Sequence, residues 1–208
     1  MRPPGRRLLA IAGLLAGCAV LPPHPVNLEF PAAGTRWVWH SVDSHGTSIA
    51  ATWTVLDDGV WEGRPVHRVW DTRDVRLHDT ATGNWVATLR DGQARLVASP
   101  HEGTFSWPLR VGKSWIASIA LHDRERGLTS SPVVTFWHVD RWEQVVVKAG
   151  TFWAFKLEGT PGINNVTYTT LWYAPELRLV IKQVRERTDE TGRPLRVVSE
   201  LVEYHPTP

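Results

Sequence analysis

From Gly34 to Tyr204, apolar and polar side chains alternate with a period of two, and no other feature restricts the fold as tightly. Ile49, Ala51, Trp53 and Val55 interleave with Ser48, Ala50, Thr52 and Thr54. Trp85, Ala87 and Leu89 interleave with Asn84, Thr88 and Arg90. The same alternation runs through Trp115, Ala117, Ile119 and Leu121, and through Val166, Tyr168, Thr170 and Trp172. Successive side chains of a strand point to opposite faces, so each run has one core face and one wetter face, as antiparallel sheet requires. Turn signals separate the runs: Asp57-Asp58-Gly59, Glu62-Gly63-Arg64-Pro65, Thr82-Gly83-Asn84, Asp91-Gly92, Arg126-Gly127 and Thr191-Gly192-Arg193-Pro194. Asp91-Gly92 is the best two-residue hairpin candidate, because both positions tolerate a positive φ. The spacing predicts roughly ten to twelve strands. No three-turn amphipathic helix follows residue 18. The expected fold is all-β: an antiparallel curved sheet, a barrel or half-barrel with mostly hairpin-connected strands, with a sandwich as the alternative.

Ahead of this region lies an address. Arg2, Arg6 and Arg7 precede an apolar run from Leu8 to Ala16. That run is too short for a membrane span, which needs roughly 20 residues. A basic start, a short apolar stretch and small residues at a cleavage point read as a secretory signal over residues 1–17. Leu15, Ala16, Gly17 and Cys18 resemble a bacterial lipobox, which makes Cys18 the lipid attachment point and the first mature residue. Cys18 is the single cysteine of the chain, whereas exported proteins commonly use cysteines in pairs. Residues 18–33 then read as a lipidated cysteine and a proline-rich tether, with Pro22, Pro23, Pro25 and Pro31 favouring extended chain. Such a tether would hold the domain about 40 Å from the bilayer. Alternatively residues 27–33, with Leu28 and Phe30, pack on the domain. Residues 34–208 form one domain with a single core. The resemblance to bacterial lipoproteins, in which Asp after the cysteine often goes with retention in the inner membrane, implies for Ala19 the periplasmic face of the outer membrane. Without Arg2, Arg6 and Arg7, 20 basic residues face 21 acidic ones. No attraction to nucleic acid follows from that balance.

The C-terminal half carries Val145-Val146-Val147-Lys148-Ala149-Gly150-Thr151-Phe152 with Ala154 to Leu157, then Leu171-Trp172-Tyr173-Ala174-Pro175 with Leu179, Val180 and Lys182. These stretches resemble those of a family of uncharacterised bacterial envelope proteins. Phe105 to Leu109, Gly112, Trp115 and the stretch from Gly34 to Trp39 fit as well. Arg178 stands where the pattern has glycine, and Ile181 is an extra residue before Lys182. The resemblance implies an antiparallel β fold in the periplasm, often lipid-anchored, with no established activity.

Chemistry is hard to find along the chain. Nine histidines form neither H-x-H nor H-E-x-x-H, so no metal site is expected. There is no G-x-S-x-G elbow and no glycine-rich phosphate loop. Asp57-Asp58 and Asp189-Glu190 fall at turn signals, where carboxylates favour turns. Neither a catalytic residue nor a cofactor is expected. The anomaly is tryptophan, with twelve residues against five phenylalanines. Such rings fill a β core, or else line a ligand surface, and Trp53, Trp115, Trp137 and Trp172 are the candidates for the latter. The expected role is a lipid-anchored envelope protein that binds an apolar ligand or an envelope partner without catalysis. A structural lipoprotein without a pocket, and a glycan-acting enzyme or sugar-binding module using Trp platforms, are the alternatives.

Overall fold

The computed structural model describes residues 24–207; Leu15, Ala16, Gly17 and Cys18 lie outside them. This span holds β1 Arg36–Asp43, β2 Ser48–Trp61, β3 Arg64–Trp70, β4 Val75–Asp79, β5 Trp85–Arg90, β6 Gln93–Ser99 and β7 Ser114–Asp123. Then come β8 Leu128–Thr129, β9 Val133–Val147, β10 Gly150–Pro161, β11 Tyr168–Ala174, β12 Leu179–Thr188 and β13 Pro194–His205. All belong to one antiparallel sheet, and no helix appears among the described residues. Chain neighbours are sheet neighbours nearly throughout. Two contacts turn the sheet back on itself: β1 lies along β13, and β6 meets β7. The result is a curved, ring-like sheet, with the short β8 attached to β7.

The turns follow local chemistry where the chain must bend sharply. Asp91 and Gly92 both take positive φ, 51° and 77°, and so do Glu62 and Gly63, 48° and 77°. These are the paired values that two-residue hairpins need. Asp57-Asp58-Gly59, expected as a turn, lies inside β2. Leu56 pairs with Arg68 and Gly59 with Val66, so Asp57 and Asp58 face His67 alone across a bulge. The Asp58 carboxylate meets His67 Nδ1 at 2.8 Å there. The two departures from the family pattern also have physical explanations. Arg178 holds a φ of 58°, the left-handed conformation that glycine adopts more cheaply. Ile181 is the bulged residue between the pairs Trp172–Lys182 and Tyr173–Val180, and it is fully buried.

Tryptophan pairs lie across neighbouring strands and pack with an aliphatic core. Trp37 stacks on Trp53 across β1 and β2 (centroids 6.0 Å), Trp115 on Trp137 across β7 and β9 (6.2 Å), and Trp142 on Trp153 across β9 and β10 (5.9 Å). Cross-strand aromatic pairs of this kind contribute about 0.5–1.5 kcal/mol each beyond their burial. One apolar cluster joins Trp37, Val55, Val69, Ile181 and Leu201 to Val145, Val147 and Ala154; a second joins Leu109, Trp137, Val139, Phe155, Leu157 and Tyr173. A third, around Val66, Leu77, Val86 and Val97, lies on the other face of β3–β6.

Because neighbours are antiparallel, the turns alternate between two ends of the ring. One end is closed by two devices. The β9–β10 hairpin curls over it, and the Ala149 N–H donates to the Leu201 carbonyl at 3.2 Å. Residues 26–31 run across the same end as a strap. Val26 and Leu109 exchange N–H···O bonds of 2.9 and 2.8 Å. Leu28 packs over Gly83, where any Cβ would stand 2.7 Å from it. Glu29 pairs with Arg178 at 2.8 Å. Phe30 lies flat on the His67 ring (centroids 4.1 Å, interplanar angle 11°) and leans on His78. Of the two readings of residues 27–33, the packed one is what the structure shows. The docked residues therefore give the domain no 40 Å of free spacer.

Candidate functional site

The seam between β6 and β7 interrupts the regular pairing. Only Leu96–Ser99 and Leu121–Asp123, with Ala120, are paired there. After Ser99 the chain departs from β7. Pro100 has no N–H to offer, and the Glu102 N–H donates instead to the Trp85 carbonyl at 2.8 Å. Asn84, almost wholly buried, then clamps the departing loop. Its Nδ2 donates to the Phe105 carbonyl (2.9 Å) and its Oδ1 accepts the Phe105 N–H (2.8 Å). Lys113 Nζ donates to the carbonyls of Ser106 and Pro108, which pins the loop's far limb. Burial lowers the Lys113 pKa.

The departure leaves half of β7 with one bare edge. Leu121 exchanges hydrogen bonds with Ser130, on the β8 side, so its neighbours Ala120 and His122 address β6. Val134 exchanges bonds with Gly162 and Ile163, so its partner residue Ser118 does not bond to β9. By the same parity the N–H and C=O of Ile116 and Ser118 point away from β9. No strand pairs with them on that side among the described residues. Both residues are exposed, Ile116 by 65%.

This edge forms one wall of a cleft of about 570 Å³, an ordinary size for a ligand site. Phe105, Trp107, Trp115 and Ala117 give it an apolar floor, and Thr82, His101, Ser106 and Ser118 give it a polar rim. Its aromatic rings are held in place. Trp115 Nε1 donates to the Gly103 carbonyl (2.9 Å) and Trp107 Nε1 to the Thr82 carbonyl (2.8 Å). Phe105 stacks on Trp107 at 5.2 Å, and both meet the Tyr173 ring edge-on. His101 Nδ1 is buried beside this floor without a partner among the described residues. A second open cleft, about 530 Å³, lies along the paired half of the seam; it is more charged, with Arg64, Asp123, Arg124 and Glu62 in its lining.

The four tryptophans proposed from sequence do not form one surface. Trp115 lines the first cleft. Trp137, 6% exposed, is core beneath it. Trp53 belongs to the apolar cluster by the strap, with the Arg76 guanidinium 4.8 Å above its ring. Trp172 donates Nε1–H to Glu143 at 2.7 Å and has the Lys182 ammonium over its ring. Sequence reasoning missed Trp107, Phe105 and the bare edge of β7. Pro100 was the one local signal that pairing would stop.

Toward the other end the interior is polar. Gln183 on β12 faces Ser199 on β13, whose hydroxyl meets that of Ser41 on β1 at 2.7 Å. Arg185 shares this face. It is solvent-accessible, yet surrounding protein desolvates it and pulls its pKa down, with Glu102 opposing and Arg76 reinforcing the shift. Among the described residues no group of three or more His, Cys, Asp or Glu side chains converges to hold a metal ion. Asp189 is occupied as a turn-former: its Oδ1 accepts the N–H groups of Thr191 and Arg193.

No protein-family profile and no curated protein matches the chain. Three solved structures resemble it in coarse outline at low identity. One, assigned as a lipoprotein of Parabacteroides distasonis, has a TM-score of 0.45 and 14% identity, covering 88% of this chain and 100% of that one. An exported-protein structure of YmcC-like fold from Bacteroides fragilis gives 0.46 and 13%, covering 86% and 99%. The hypothetical lipoprotein YmcC of Escherichia coli gives 0.45 and 11%, covering 82% and 84%.

Proposed function

We propose that the protein is a lipid-anchored component of the bacterial cell envelope that works by binding rather than by catalysis. We place its site in the cleft beside β7 and its ligand class as an extended segment of an envelope partner. The observation that carries this reading is the bare edge of Ile116 and Ser118 set against an aromatic floor. An added strand would satisfy their four backbone groups, each hydrogen bond contributing about 0.5–1.5 kcal/mol net. Alternate side chains of that strand would settle on Trp107 and Trp115. A small apolar ligand on the same floor is the second reading, favoured by the fixed rings of Phe105, Trp107 and Trp115. Anchoring rests on the lipobox ending at Cys18, and the inner face of the outer membrane on Ala19.

Two substitutions test the parts separately. Cys18→Ser should leave the signal uncut and abolish fatty-acid labelling of the protein; a variant that is labelled as strongly as the parent refutes the anchor. Ile116→Pro removes an N–H that bonds to nothing among the described residues, and proline is tolerated where the N–H faces outward from an edge. Photo-cross-linking from position 118 in cells should yield a defined adduct with the parent chain and lose it with Ile116→Pro at unchanged stability. Adducts of equal intensity in both would rule out strand addition. Native mass spectrometry of the same samples reports a retained small molecule, the outcome expected of the second reading.

A further inference from the structure

We infer that the strapped end of the ring faces the lipid bilayer, held against it by a tether too short to let the domain turn away. This rests on the lipid anchor at Cys18 proposed above. The docked strap begins at Val26, so only residues 19–25 separate it from the lipid-bearing cysteine. Fully extended, that stretch spans at most about 28 Å. From the polar end to the hairpin that caps the strapped end, β9 alone takes 15 residues, a path of about 45 Å. The strap leaves the domain beside Leu109 at the closed end. The anchor therefore reaches this end with ease and the polar, Arg185-bearing end only with difficulty.

The chemistry of the closed end suits that neighbour. Val145 and Val147 point into the apolar cluster, so Gln144, Val146 and Lys148 point outward from the hairpin that covers the end, Val146 with 71% exposure. On the neighbouring turn Arg110 is exposed and Val111 partly so. Neither Arg110 nor Lys148 has a carboxylate within 4.0 Å among the described residues, while Glu176, on the turn after β11, supplies an opposing charge. Two unpaired cations with two exposed valines fit a headgroup layer better than they fit bulk water. With the strap docked, the bare edge of β7 runs away from the membrane surface, so the cleft is presented sideways to other envelope components.

The test uses the mature lipoprotein as the cell makes it, in vesicles of phosphatidylethanolamine and phosphatidylglycerol. Val146→Cys and Val166→Cys place a thiol at either end, both positions being about 70% exposed (71% and 69%). An environment-sensitive fluorophore at each thiol is then quenched by headgroup nitroxide lipids. The expected result is several-fold stronger quenching at 146 than at 166, with the difference shrinking when Phe30→Ala loosens the strap. Equal quenching at the two positions, or stronger quenching at 166, on protein that floats with the vesicles overturns the orientation and leaves the anchor standing. Protein that fails to float overturns the anchor, and the orientation with it.

Discussion

Phe30→Ala should undock the strap while leaving the ring folded, and its cost can be worked from the contacts. A wholly buried phenylalanine cut to alanine costs about 3–5 kcal/mol. Phe30 is half-buried, which brings the burial part to about 2 kcal/mol. Its flat stack on His67 adds about 0.5–1 kcal/mol. The expected loss is about 2–3 kcal/mol, capped by the free energy of docking, since a detached strap has nothing further to lose. Two measurements separate local from global effects. Amide exchange at Val26 and Leu109, which hold each other through paired hydrogen bonds, should accelerate by about 50-fold, as roughly 1.4 kcal/mol is a factor of ten. Thermal unfolding should fall by about 6 °C if the ring and strap unfold together, from 2–4 °C per kcal/mol at this size. Exchange at Val26 and Leu109 within about twofold of the parent, with an unchanged Tm, would show that the stack contributes nothing and that the strap is held elsewhere.

His78 gives the strapped end a pH dependence. Burial pushes its pKa down to about 4, against an ordinary 6.5, with the Gly83 carbonyl partly opposing and Arg76 and His67 adding to the drop. The unfolded chain therefore binds the proton more readily, and stability falls as pH drops from 6.5 toward 4. The full shift corresponds to about 3 kcal/mol; part of the ring meets solvent, so we expect a loss of about 1.5 kcal/mol between pH 7 and pH 5. Urea unfolding at both pH values checks this, and His78→Gln should abolish the difference; a variant that keeps the full slope would assign it to other groups. Gly159→Ala should destabilise by about 1–3 kcal/mol through overpacking. A Cβ there would come within 2.8 Å of the Trp137 ring, which is core and has nowhere to move. A neutral result in chemical denaturation would mean that Trp137 can shift off its stack with Trp115.

The alternation at β2 and β7 was legible because a half-buried antiparallel strand writes its two faces directly into the sequence; at β11 the face was misread, since Val166 and Tyr168 are exposed and Leu171 and Tyr173, which point the other way, are buried. The Asp91-Gly92 hairpin was legible for a different reason, since few residue pairs accept two positive φ values. Asp57-Asp58-Gly59 misled because the same residues that favour a turn also suit a bulge, and which one forms depends on the facing strand: here His67 stands opposite the pair and binds Asp58. Closure was illegible. β1 and β13 are joined by pairs such as Trp39 with Leu201, and nothing local in either strand specifies its partner. Six of the twelve tryptophans stack in pairs across neighbouring strands, a property of register rather than of composition. Gly159 shows the same limit, since its task is to leave room for a ring on the neighbouring strand.

The bare edge of β7 is held open by built structure. A ring of antiparallel strands satisfies backbone groups all round, and a short loop between β6 and β7 would have extended their ladder past Ser99. Instead the Glu102 N–H is committed to Trp85, and the main chain of Phe105 is committed to a buried asparagine. Both commitments draw the loop over the ring's interior, where Gly103 lies so close to Ala117 that a Cβ there would come within 2.7 Å of it. The rings that furnish the cleft floor, Phe105, Trp107 and Trp115, are fixed by the same loop. The contacts that interrupt the sheet are thus the ones that form the cleft. An accidental gap would leave the loop loosely packed. Here the loop is clamped at Asn84 and Lys113, so removing the edge for good would require dismantling a buried amide that both donates to and accepts from the loop.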